Sequence, residues 1–179
     1  NPHFLFNTIN NIDSLITINP TSASAYLNKL SDIMRFMLFE TKTEKIPLSK
    51  EIEYIEKYLD LQKIRSSNEH FVNFSIQGDP SNVYIPAMLF IPFIENAFKH
   101  VSNKKTENAI RVSLHIDKQN LNFECENQFN EQGKIGLESN GLGNSLIKKR
   151  IKLLYPNKHK LTIISKNNLY AVKLSLDNA

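Results

Sequence analysis

The sequence predicts an α+β chain: a helical N-terminal segment followed by an α/β sandwich. Three observations predict it. Up to residue 65 apolar residues recur at spacings of three and four. Beyond residue 70 they fall in short alternating runs rich in β-branched and aromatic side chains. Between the two lies the polar stretch SSNEH, residues 66–70. The division places a helical region at 1–66 and a second domain at 70–179.

The first helix runs from NPHFLFNTINNI onward. Leu5, Ile9, Ile12 and Ile16 form one stripe, and His3, Asn7, Asn11 and Ser14 follow the opposite one. Asn19-Pro20 ends it. A second helix carries Ala23, Tyr26, Leu27, Leu30, Ile33, Met34, Met37 and Leu38 at helical spacing, and TKTEKIP reads as a loop. Ser49 is placed to cap a third helix, with Glu51 and Glu53 in a first turn where the helix dipole favours carboxylates. Strands are expected at 71–77, 109–116, 121–126, 160–165 and 170–176, with helices at 87–101 and 142–154. That order suggests an antiparallel or mixed sheet covered on one face by helices. Residues 127–140, polar and glycine-bearing, read as one long irregular loop.

Composition excludes several classes. The chain of 179 residues is 41% hydrophobic and 22% charged, ordinary for a globular protein with a sizeable core. One cysteine, Cys125, leaves no internal disulfide framework and fits a reducing compartment. The longest apolar stretch, AMLFIPFI, is interrupted by Pro92 and is far shorter than the roughly 20 residues of a membrane span. Asn1 stands where an initiating methionine would, so the sequence reads as a piece of a longer protein. The net charge is +4, but its lysines are scattered; only Lys148, Lys149, Arg150 and Lys152 cluster, as a solvated helix face would. No nucleic-acid partner is expected.

Three stretches carry chemistry. His3 and Asn7, four apart on a helix, share a face, and a neutral imidazole there is a competent phosphoryl acceptor; a histidine at a helix end without a role is the plainer alternative. In IPFIENAFKH (91–100), Asn96, Lys99 and His100 share a face suited to a nucleotide's phosphates and Mg²⁺, although an amphipathic helix would show the same pattern. In SNGLGNSLIKKRI, Gly141 and Gly143 sit just before a helix, where free N–H groups and the dipole favour anions; taken alone the G-x-G pattern is weak and a simple helix-entry turn is the better reading.

Taken in order, these stretches resemble the LytS/YehU-like sensor histidine kinases. NPHFLFNTINNI is similar to that family's phosphoacceptor box, LSDIMRFML and IPLSKEIEYIEKYLDLQKIR to its intervening helices, IPFIENAFKH to its N-box, and GLGNSLIKKRIKLLYP to its second glycine box. The resemblance implies a Bergerat-type (GHKL) α/β sandwich binding ATP and Mg²⁺ beneath a lid at 127–140. It also implies a homodimerising helical part in which Leu5, Ile9, Ile12 and Ile16 bury against partner helices. His3 would accept the γ-phosphoryl group with Asn7 assisting, and a response-regulator receiver domain would take it onward. Asn96 would hold Mg²⁺; Lys99 and His100 would contact phosphate; Gly141 and Gly143 would border the lid. Asn127 would replace the aspartate that usually binds the adenine amino group, implying weaker nucleotide binding. Glu95 is a geometric candidate for the base. The location implied is cytoplasmic, with any membrane attachment supplied by an upstream segment.

ATP hydrolases of the same superfamily place a water-activating glutamate four residues before the magnesium asparagine; here that position is Pro92, which cannot act as a base. The expectation is therefore an ATP-dependent protein-histidine kinase. The alternatives are a Bergerat-fold ATPase or serine kinase, and a non-catalytic scaffold that dimerises and binds a regulator.

Overall fold

The computed structural model describes residues 2–64, 66, 68–129 and 140–177, the side chains of 140–144 excepted. Helices α1 (Pro2–Ile16), α2 (Pro20–Phe39) and α3 (Leu48–Lys63) come first. Then follow β2 (Val72–Gln77), α4 (Ile91–His100), β4 (Ile110–Asp117), β5 (Asn120–Gln128), α5 (Asn140–Leu154), β6 (His159–Lys166) and β7 (Leu169–Leu176). The sheet has five strands in the order β2-β4-β5-β7-β6; only β2 and β4 run parallel. A further short ladder joins β1 (Ile46–Pro47) to β3 (Tyr84–Ile85), which the sequence did not signal. The expected mixed sheet with helices on one face is thus what forms, a two-layer α/β sandwich.

Proline and asparagine set the turn between α1 and α2. Pro20 opens α2, and the Asn19 Oδ1 accepts the Ser22 N–H at 3.0 Å. Two ion pairs, Lys29 with Asp60 and Lys57 with Asp32, tie α2 to α3. The Lys57 hydrogen bond holds the Asp32 carboxyl below the usual range.

One apolar cluster runs from Phe4 of α1 to Leu176 of β7. Rings mark its path through the helices: Phe4 to Tyr58 at 4.6 Å, Tyr58 to Phe98 at 5.9 Å, and Phe98 to Phe71 at 5.8 Å between centroids. The last two are edge-to-face, a favourable geometry for aromatic quadrupoles.

Several expectations are corrected. Within one chain α1 buries Phe4, Thr8 and Ile12, while Ile9 and Ile16, expected to meet a dimer partner's helices, stay 49% and 54% exposed. Thr8 can be buried because its hydroxyl donates to the Phe4 carbonyl at 2.8 Å, leaving no polar atom unpaired. The third helix begins at Leu48, after Pro47, and Ser49 is not its cap. The Leu48 N–H goes instead to the Val83 carbonyl at 2.8 Å, alongside the β1–β3 ladder. Helix α4 starts at Ile91 rather than 87. Pro92 explains it: proline fits the first turn of a helix but, six residues into one, would forfeit a bond to the residue-88 carbonyl. The freed segment makes a turn, with Met88 in the left-handed region at φ 57°.

Candidate functional site

His3 is exposed near the start of α1, one residue before the ring that anchors this helix. The Asn7 Nδ2 lies 3.1 Å from its Nδ1 and 3.3 Å from its Nε2. The predicted four-residue spacing therefore does bring the amide to the imidazole, on the side of α1 left open to solvent.

Helix α4 is amphipathic. Ile91, Phe93, Ile94, Ala97 and Phe98 are buried, while Lys99 is exposed and Asn96 and His100 are half-buried. Asn96, Lys99 and His100 occupy one face by their spacing. Glu95 lies on the other flank, half-buried, and its charge raises the phenol pKa values of Tyr54 and Tyr58, second to the effect of burial. Glu95 therefore faces α3 and is separated from the Asn96 face. It lies near Tyr58, the ring on which Phe4 rests.

The end of β5 meets the C-terminal end of α4. The Ser102 N–H donates to the Gln128 carbonyl at 3.0 Å, just past the helix. Next to Gln128 is Asn127, paired across the sheet with Ile110 and Tyr170. It belongs to the strand, not to the loop expected from residue 127, because the ladder continues one residue further to Gln128↔Leu169. Asn127 alternates with Cys125, Phe123 and Leu121 on the buried side of β5. The same side meets α4, where the Cys125 thiol reaches the Phe93 carbonyl at 3.8 Å. Burial pushes that thiol up to about 12, so Cys125 is a small core side chain rather than a nucleophile.

Asn127 is 1% exposed. Its Nδ2 donates to the Gln128 carbonyl at 3.3 Å, but its Oδ1 is buried without a hydrogen-bond partner. Such an acceptor costs about 1–3 kcal/mol unless something donates to it. An exocyclic amino group would do so, and the residues present therefore fit an adenine.

Gly141 and Gly143 fall inside the first turn of α5, which begins at Asn140, rather than just before a helix. Of the expected lid at 127–140, residues 130–139 lie outside the described residues. A groove of about 310 Å³ lies elsewhere, between α2 and α3, with Phe36 and Tyr54 among its lining residues; it shares none with the Asn96 face.

Sequence reasoning missed two residues beside this site. Glu51, read as a partner of its own helix dipole, is fully buried and accepts N–H groups from the turn before α4. Arg150, read as part of a solvated basic face, donates to carbonyls of the same turn. The signal for Glu51 was its place on the stripe of Leu48, Ile52, Ile55 and Tyr58; nothing marked Arg150.

Comparison with known proteins agrees at both ends of the chain. Residues 1–70 match a family model described as histidine kinase. The sensor protein kinase HptS of Staphylococcus aureus is 31% identical over 195 residues, covering 99% of this chain and 37% of that protein. The sensor histidine kinase BtsS of Escherichia coli is 29% identical over 171 residues, covering 95% and 30%. The chain thus spans about a third of the length of these curated relatives. The Acinetobacter baumannii histidine kinase AdeS superposes with a TM-score of 0.51 over 98% of this chain and 94% of that one, at 13% identity, which is a likeness of fold. No helix among the described residues is long and apolar enough to cross a membrane.

Proposed function

Starting from a chain of the histidine-kinase family, we propose that it is the ATP-dependent kinase core of a homodimeric two-component sensor. On this reading it phosphorylates His3 and then passes the phosphoryl group to an aspartate of a response-regulator receiver domain. The placement of His3 carries this reading. It is an exposed imidazole bonded by Asn7, on a helix seated through Phe4 and Tyr58 on the helix that presents Asn96.

His3 attacks the γ-phosphorus with the lone pair of one ring nitrogen. The bond from that phosphorus to the bridging oxygen breaks, and ADP leaves with the electron pair. The ring then sheds the proton on its other nitrogen, for which Glu95 is the candidate acceptor. Asn7 would bias which nitrogen attacks. With its amide turned so that Oδ1 accepts from Nδ1–H, it would favour the tautomer whose lone pair is on Nε2, until that proton passes to the base. Because phosphoryl transfer needs mainly positioning and charge neutralisation, the remaining roles are electrostatic. Asn96 would hold Mg²⁺ by its amide oxygen, and the ion when bound would neutralise phosphate oxygens. Lys99 and His100 would contact those oxygens, the backbone of the Gly141–Gly143 turn would border them, and Asn127 would receive the adenine amino group through Oδ1.

The experiment is incubation with γ-labelled ATP and magnesium. Acid-labile, alkali-stable label on the chain, lost in His3→Gln, is the expected result. Full labelling of His3→Gln, or alkali-labile phosphoserine, would overturn the assignment.

A further inference from the structure

We propose that Glu51 is a positioning residue for the nucleotide-binding helix: from α3 it accepts N–H groups of the 87–90 turn that leads into α4, and with Arg150 of α5 it holds that turn, so that the Asn96 face keeps one orientation relative to α3. This rests on the nucleotide reading of that face.

The geometry is specific. Helix α4 has no side-chain cap of its own, since Phe90 occupies that position. The first backbone donors of a helix need partners, and a buried end without them is costly. Here the Phe93 and Ile94 N–H groups turn back to the Phe90 carbonyl, and Glu51 holds the turn just before them. The Met88 N–H donates to its Oε2 at 2.8 Å and the Phe90 N–H to its Oε1 at 3.3 Å. Glu51 is itself in the first turn of α3, so its carboxylate stands near the positive ends of two helices. The same turn is gripped from the other side. Arg150 donates from Nη1 to the Met88 carbonyl at 2.9 Å and from Nη2 to the Ala87 carbonyl at 2.7 Å.

Met88 sits between them at φ 57°, a conformation that an unbranched L-residue adopts at a cost and keeps only where its surroundings enforce it. The Met88 carbonyl is also the group that Pro92 cannot serve within a helix, so Arg150 takes over an acceptor that the sequence itself leaves open. The base of α3 is stitched to this segment too, through the β1–β3 ladder and the Leu48 N–H to the Val83 carbonyl. Helices α3, α4 and α5 therefore meet at one strained turn. A displacement of α3 at this end is transmitted to the helix that faces the phosphates, without any contact between Glu51 and the nucleotide.

The test is calorimetric titration of the whole chain with a non-hydrolysable ATP analogue and magnesium, comparing Glu51→Gln, Arg150→Met and the double variant. Glutamine preserves the shape but offers one acceptor and one donor to two N–H groups. Each single change is expected to weaken analogue binding about tenfold, the equivalent of one lost charge-assisted hydrogen bond. The double variant is expected to lose little more than either, because both act on one turn. Amide exchange gives a readout without ligand: Met88 and Phe90 should lose protection in Glu51→Gln while β4 and β5 keep theirs. Unaltered analogue affinity in both single variants, strictly additive losses, or undiminished protection at Met88 and Phe90 would each overturn the proposal. If the unsubstituted chain binds no analogue at all, the nucleotide reading fails and the proposal fails with it; if it binds and the variants bind equally well, the proposal alone fails.

Discussion

The three residues on which the proposed chemistry leans most, His3, Asn7 and Asn127, were not equally legible. His3 and Asn7 could be read directly, because a four-residue spacing on a helix fixes a shared face whatever surrounds it. Asn127 could be named only by likeness, and its burial could not be foreseen: an asparagine carries no pattern that separates a loop from a strand interior. The structure supplies the missing fact, an Oδ1 without a donor. Asn127→Ala removes that acceptor. We expect it to weaken binding of the ATP analogue about tenfold, as one neutral hydrogen bond would. Titration calorimetry measures this, and a matching thermal midpoint would show that the fold survives the change.

At the scale of elements, alternation made the five main strands readable, and each lies within a residue or two of its expected span. Helix ends were less so. The start of α4 was placed four residues early because AMLF is apolar and continues the periodicity, yet Pro92 and the left-handed Met88 decide otherwise. The part of α1 that buries within its own chain, Phe4, Thr8 and Ile12, went unread for a different reason. A threonine that bonds its own helix counts as apolar in packing, and no hydropathy pattern says so. Packing between elements concentrates on Tyr58, whose ring meets Phe4 on one side and Phe98 on the other. Its hydroxyl accepts from Gln62 Nε2 at 2.8 Å. Tyr58→Ala should cost about 3–5 kcal/mol, the range for deleting a buried aromatic side chain. Urea denaturation checks it, and near-wild-type stability would mean that the helices do not depend on this ring.

For the molecule as a whole, the buried Glu51 carboxyl ties stability to pH. Desolvation pushes it up to about 7, against the opposing pull of the Met88, Phe90 and Leu89 N–H groups and Arg150. The unfolded chain releases this proton near 4.5. Between these values the folded state holds more protons than the unfolded one, so this group makes stability fall as pH rises across the window. The full loss is on the order of 3 kcal/mol and is complete once the pH exceeds the folded value. Urea midpoints at about pH 5 and about pH 8 should differ by less in Glu51→Gln than in the unsubstituted chain. Equal differences in the two would remove Glu51 as the source.

The ring of Phe4 rests on Tyr58 of the same polypeptide. On the proposed reading, an acceptor tethered to its own chain's helices in this way receives the phosphoryl group from the nucleotide held by that same chain. Mixing a subunit lacking His3 with one lacking Asn96 should then give hybrids with no labelled product. Recovery of label by complementation would mean that transfer crosses between subunits.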